Sequence, residues 1–140
     1  MTTTLPNGTV THVDVNFLDG ETYEIGVRNH RVLVDQPERD DGADRAPTPT
    51  ELFVGSLAAC VAFYAGRYIT RHGYGRDGLH VHADFAMSTN RPARVTSIRI
   101  TLRPPADFPA ERVEALLAVA SHCTVHNSIT TDPDIVITVE

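Results

Sequence analysis

The chain has 140 residues, a formal charge of −6, 41% apolar and 21% charged side chains, and no lysine, so that all 12 of its Lys+Arg cations are arginine. This size suits a single domain over residues 1–140 with a core of its own. The acidic balance argues against nucleic acid or an anionic membrane as partner, and the lack of lysine excludes a Schiff base. Two cysteines are too few for a disulfide scaffold, which points to a reducing, cytoplasmic setting. The opening MTTTLPNGTV has no basic or apolar leader pattern, so no signal peptide is predicted. Residues 9–18 and 21–27 read as two strands: Val13, Val15 and Phe17 alternate with polar neighbours, as do Tyr23, Ile25 and Val27. Asp19-Gly20 is the hairpin signal between them. Val32-Leu33-Val34 gives a short third strand. The segment 35–47, DQPERDDGADRAP, reads as an exposed polar loop whose charges are solvated.

Thr48-Pro49-Thr50-Glu51 is a capping box, with Pro49 at the first helical position. His72-Gly73 supplies the stop. The helix between them should hold about 24 residues and measure roughly 36 Å. From Leu52 to Gly66 it is apolar on every side. That predicts burial all round, by sheet or by a second subunit. The run is shorter than the roughly 20 residues of a membrane span. Gly55, Ala58, Ala59, Ala62 and Gly66 would let neighbours approach closely, and Cys60 lies at its centre.

Leu79, Val81, Ala83, Phe85 and Met87 then alternate as a half-buried strand, and Ile98, Ile100 and Leu102 as the next. A second helix starts at Pro109. Its stripe of Val113, Leu116, Leu117 and Ala120 continues into Cys123. Residues 124–130 read as a further short helix. After a turn at 131–134, Ile135, Ile137 and Val139 predict a closing strand. The order β-β-β-α-β-β-α-β is that of an α+β domain with antiparallel sheets.

Both cysteines fall on the inward side of a helix. Two readings follow. They are small buried hydrophobes, or they are a peroxidatic thiol and a resolving thiol. In the second case a thiolate takes oxygen from a peroxide and the resulting sulfenic acid is captured as a disulfide. That chemistry needs a cation near the first sulfur. His122 and His126 flank Cys123, and His80 and His82 share a strand face. Without CxxC or HExxH spacing they make no recognisable zinc set, and neither metal nor cofactor is expected. His126 is placed at the border of the thiol pocket, able to stabilise a Cys123 thiolate.

PTELFVGSLAAC at residues 49–60, SHCTVHNSI at 121–129 and HRVLVDQP at 30–37 together resemble the OsmC/Ohr family, the osmotically inducible protein C and organic hydroperoxide resistance proteins, in its OsmC-like branch. The resemblance runs over about residues 25–140. It implies an intertwined homodimer around a buried central helix, with two cysteine sites at the dimer interface. It implies a peroxidatic Cys60 and a resolving Cys123, organic hydroperoxides as substrates, and a dithiol reductant such as a lipoylated protein. In the peroxidase branches an arginine–glutamate pair holds the reactive cysteine. The glutamate position falls here on Thr50. Glu51, one residue and about 100° round the helix, is either that acid or only the capping residue. The arginine is one of Arg28, Arg31, Arg39 or Arg45, of which Arg39 and Arg45 lie in the polar loop. The alternative to a peroxidase is a non-catalytic stress or small-ligand-binding protein on the same fold, its cysteines buried or acting as slow redox sensors.

Overall fold

The computed structural model describes residues 10–140. Residues 1–9, on which most of the leader reading and the predicted start of the first strand fall, lie outside the described residues. The backbone forms two compact units. One holds the described residues up to Glu51 together with Ile135–Glu140, and the other is Leu52–Asp134.

In the first unit β1 (Asp14–Asp19), β2 (Thr22–Val27) and β3 (His30–Val34) make an antiparallel meander in that order. Asp19 pairs with Thr22 around a two-residue turn, and Phe17 lies opposite Tyr23. Their rings meet edge-on at 5.5 Å, a cross-strand aromatic pair of the kind that stabilises a ladder. Val13, Val15 and Phe17 remain 58–60% exposed.

The loop after β3 departs from the expected solvated segment at its base. Asp35 is buried. Its Oδ1 accepts the Gln36 N–H at 2.7 Å and its Oδ2 accepts the Arg45 N–H at 3.0 Å. Its own N–H donates to the Pro47 carbonyl at 3.1 Å. The Arg45 N–H is the main reason the carboxyl sits below the ordinary aspartate range. Burial works against it, and the Gln36 N–H adds to it. The charge of Asp35 was plain in the sequence; the convergence of backbone donors on it depends on the chain doubling back.

The second unit is built on α1 (Pro49–Arg71), whose first turn is closed by the capping box. Glu51 N–H donates to Thr48 Oγ1 at 3.0 Å, and Thr48 N–H to Glu51 Oε1 at 2.8 Å. The helix ends as predicted at Gly73, with φ +86, a left-handed conformation that glycine adopts without a steric penalty. Burial all round is not observed. The buried side chains Val54, Leu57, Val61, Ala65, Tyr68 and Ile69 form one stripe, while Phe53 and Phe63 are 42% and 51% exposed. Cys60 and Tyr64, beside that stripe, are partly buried against the same core. By length and composition α1 is apolar enough to cross a membrane, with a mean hydropathy of 1.5 over its most apolar window. Its packed stripe is that of a core helix.

β4 (His80–Met87) and β5 (Val95–Arg103) form an antiparallel hairpin, with Phe85 opposite Ile98. A single 3-10 turn leads into α2 (Val113–Ala120), and α3 (Thr124–Thr130) follows. Leu57, Val61, Ala65, Ile69, Phe108, Leu116, Ala120 and Cys123 make the core, against which Val81, Ile98, Ile100 and Leu102 pack. On α2 only Leu116 and Ala120 are buried; Val113 and Leu117 of the predicted stripe stay 38% and 54% exposed. The predicted closing strand does not form: Ile135, Ile137 and Val139 are 74%, 89% and 93% exposed, and no ladder includes them. Alternation alone does not make a strand; it needs a ladder with a neighbour, and this segment joins none. The observed order is β-β-β-α-β-β-α-α, still an α+β fold with antiparallel sheets and one long helix.

Candidate functional site

Cys60 lies in the middle of α1, half-buried, and Cys123 is fully buried; both are free thiols. Cys60 packs against the core cluster that contains Cys123. Cys123 occupies the residue before α3 in an extended conformation. Its Sγ caps the helix by accepting the His126 N–H at 3.4 Å. Burial pushes the Cys123 thiol up; the His126 N–H pulls the other way, and the neighbouring Cys60 sulfur adds to the rise. One turn beyond Cys60, the Tyr64 hydroxyl shares a 2.7 Å hydrogen bond with Thr124 Oγ1. It ties α1 to the start of α3 and so fixes the spacing of the two cysteine-bearing elements.

A cavity of about 220 Å³ is lined by Leu57 and Val61 of α1, the apolar face of β5, Leu117 and Ala120 of α2, and Ser121 and His126; neither cysteine is part of its wall. A shallower groove shares Leu57, Ile98 and His126 with it. The cavity is aliphatic apart from Ser121 and His126. It suits a small organic molecule whose polar end lies near the cysteine turn.

The structure brings Cys60, Cys123 and His126 together. Glu51, Arg31, Arg39 and Arg45 are engaged within the first unit. Glu51 is held by the capping box. Arg45 pairs with Asp19 at 2.8 Å, and Arg39 lies 3.7 Å from Asp40 with its side chain 85% exposed. Arg31 pairs with Glu24 at 3.2 Å, and Arg28 holds the β2–β3 turn at φ 52. His80 is exposed, and His82 Nε2 is bound to Asp84 Oδ1 at 3.0 Å. Among the described residues no group of three or more His, Cys, Asp or Glu is placed to hold a metal ion. Sequence reasoning missed the Tyr64–Thr124 tie and the hydrogen bond that orients the His126 ring. The four-residue spacing of His122 and His126 was the only local signal for the second.

The sequence profile of OsmC-like proteins matches residues 41–138. No curated protein matches the sequence. Among solved structures, the fold is similar to a provisionally named osmotic stress induced and detoxification response protein from Psychrobacter arcticus, at 21% identity and TM-score 0.78, covering 89% of this chain and 91% of that one. It is also similar to an organic hydroperoxide resistance protein OsmC from Legionella pneumophila, at 14% identity and TM-score 0.65, covering 87% and 91%. A third structure is a provisionally named organic hydroperoxide resistance protein from Vibrio cholerae with captopril in one of its active sites. It shows 16% identity and TM-score 0.66, covering 89% and 88%.

Proposed function

The chain belongs to the OsmC-like protein family, and on that premise we propose that it is a stress-defence thiol peroxidase that reduces organic hydroperoxides. The observation that carries this reading is the pair of free thiols, Cys123 buried in the core cluster and Cys60 packed against that same cluster, in a core that also holds an aliphatic cavity. The cavity favours an alkyl or aryl hydroperoxide over hydrogen peroxide, because most of its wall offers no hydrogen bond. The names of the Legionella and Vibrio structures, both organic hydroperoxide resistance proteins, support the substrate class.

In this reaction the Cys60 thiolate attacks the terminal oxygen of ROOH. The S–O bond forms, the O–O bond breaks, and RO⁻ leaves to become ROH. The Cys123 sulfur then attacks Cys60 Sγ and displaces the hydroxyl as water, giving the disulfide. An external dithiol reduces it through a mixed disulfide; a lipoylated protein is the class that the family implies. We place the protein in the cytoplasm as a homodimer, whose second subunit covers the open face of α1 at Phe53 and Phe63. Arg39 or Arg45, released from the carboxylates that hold them, is the cation we assign to Cys60, with Glu51 as its partner.

The test is intact mass after one equivalent of cumene hydroperoxide. Wild type should lose two hydrogens on forming the disulfide. Cys123→Ser should gain one oxygen, and Cys60→Ser should stay unmodified. An unmodified wild type would refute the reading. A second reading is favoured by Thr50 at the family's glutamate position and by the prior engagement of Glu51, Arg39 and Arg45. It is a non-catalytic protein that binds a small apolar ligand in the same cavity. It predicts that Cys60 resists a small alkylating agent at neutral pH until the chain unfolds.

A further inference from the structure

A second groove, of about 540 Å³, lies between the later half of α1 and the end of α2, wholly within the second unit. That is the size of a small-molecule site, roughly 300–1,000 Å³. Tyr64, Arg67, Tyr68 and Arg71 line it from α1, at the three- and four-residue spacing that puts side chains on one face. Ala118, Val119 and His122 form the opposite wall. Among the described residues neither Arg67 nor Arg71 pairs with a carboxylate, and Glu114, one turn before Ala118, forms no ion pair with either. The Arg67 guanidinium lies over the Phe63 ring at 5.2 Å. A ring contact uses the flat face of a guanidinium, whereas its N–H groups point outward in its plane. His122 Nδ1 donates to the Ala118 carbonyl at 2.7 Å, so its ring is held to α2 and brings no negative charge. Arg71 is in the last turn of α1, where the helix carbonyls favour a cation. Arg67 stands a turn earlier, gains less from them, and repels Arg71 across four residues. Two like charges thus stand side by side over a groove with apolar walls, in a chain whose net charge is −6.

We propose that this groove binds a small organic carboxylate, its charge held by Arg67 and Arg71 and its apolar body laid against Tyr64, Tyr68, Ala118 and Val119. A guanidinium meets a carboxylate through a fork of parallel N–H bonds, which are short and strong. One such anion also removes the repulsion between the two arginines. Charge selects the class of ligand. A carboxylate brings a single negative charge, which two cations can offset. A phosphate monoester is close to a dianion at neutral pH, and stripping it of water against Ala118, Val119 and the ring faces costs more. A neutral molecule leaves both cations unpaired. The tyrosine rings suit an aryl body, through edge or offset contacts. The groove shares no lining residue with the aliphatic cavity. The inference is therefore independent of the peroxidase reading, and neither stands or falls with the other.

The test is isothermal titration calorimetry of the whole chain with three probes that differ in their polar end: phenylbutyrate, phenylbutanol and phenylpropyl phosphate. Phenylbutyrate should bind once per chain, and more tightly than either of the others. Arg67→Gln and Arg71→Gln should each weaken it by about tenfold, the worth of a hydrogen bond to a charged group, and the double variant should bind acid and alcohol alike. Both arginines are exposed, so these variants keep the fold and decide the matter on their own. Ala118→Leu fills the groove, leaves both cations in place, and should abolish binding of the acid. No saturable binding of phenylbutyrate would overturn the proposal, as would equal affinity for the alcohol, which would show an apolar hole and no charge recognition. Tighter binding of the phosphate would overturn the ligand class. Binding of phenylbutyrate that survives the double substitution would place it elsewhere on the protein and overturn the site.

Discussion

Gly42→Ala should destabilise the protein, for a reason confined to the backbone of the loop after β3. A Cβ at Gly42 would stand 1.8 Å from the Gln36 carbonyl oxygen, 2.3 Å from its carbonyl carbon and 2.7 Å from its Cα. All three are main-chain atoms, so no side chain can rotate away, and residues 36 and 42 have to separate. Separation breaks the bonds from Asp44 N–H to the Gln36 carbonyl, 3.0 Å, and from Gly42 N–H to the Pro37 carbonyl, 3.1 Å. At a net of about 1 kcal/mol each, the loss is about 2 kcal/mol. That corresponds to a fall of roughly 4–8 °C in Tm for a chain of this size. Release of the Arg45 N–H from Asp35 adds to it. Thermal and urea unfolding measure the change. Asp41→Gly is the control: Asp41 holds φ 69, which glycine adopts freely, so relief of strain offsets the added freedom of the unfolded chain. A loss under about 0.5 kcal/mol for Gly42→Ala, the range of an ordinary surface change, would refute the reasoning. So would equal damage from Asp41→Gly.

Leu116→Ala, at a side chain with no exposed surface in the core, should cost about 2–5 kcal/mol in urea unfolding, and a smaller loss would mean that the core around it collapses to fill the space. Tyr64→Phe removes the bond to Thr124 Oγ1 and should cost at most about 1 kcal/mol; by mass spectrometry it should slow closure of the Cys60–Cys123 disulfide while leaving sulfenic acid formation unchanged. Asp35 has a depressed folded pKa, so its stabilisation is complete above the unfolded value of about 3.9 and is lost as pH falls through the lower folded value. Asp35→Asn should therefore be less stable than wild type near neutral pH and show a flatter stability profile between about pH 5 and pH 2, and parallel profiles for the two proteins would refute the assignment. The raised pKa of Cys123 keeps it a thiol near neutrality, so disulfide closure from a preformed Cys60 sulfenic acid should quicken by about tenfold per pH unit below that pKa; a flat stopped-flow profile would contradict it.

What the sequence made legible was local. Thr48, Pro49 and Glu51 specify a helix start within four residues, and the reciprocal bonds form as their spacing requires. The alternation at Tyr23, Ile25 and Val27 and at Ile98, Ile100 and Leu102 gave the ladders, because a strand's two faces differ only by parity. The same rule failed at Ile135, Ile137 and Val139, which alternate equally well but pair with no strand among the described residues. Parity sets a face; pairing needs a partner elsewhere in the chain. The all-round greasiness of α1 was visible, but a composition cannot say which stripe one chain covers, and Phe53 and Phe63 are left outside it. In the site, Cys60 could be placed on its helix, whereas Cys123, read as the continuation of the second helix's stripe, stands beyond the end of α2 as the extended cap of α3, buried but on no helix face. The orientation of His126 could not, because it depends on a backbone carbonyl, and carbonyls carry no residue identity.

The unlike surroundings of the two sulfurs set an order on the chemistry proposed for them. A thiol that meets a peroxide from solvent has to be reached, and Cys60 is the half-buried member of the pair. A thiol that resolves a sulfenic acid needs to reach only one neighbouring sulfur, and Cys123, with no exposed surface, can do so from inside the core. Its burial has a second effect. By holding the thiol protonated, it keeps Cys123 from competing for the peroxide and from oxidation past the sulfenic stage, since the thiolate is the reactive form. The His126 N–H at 3.4 Å works in the opposite sense and lowers the cost of the thiolate once a sulfenic acid stands beside it. A core that silences one thiol until its neighbour is oxidised thus achieves by burial alone what would otherwise require two differently charged pockets.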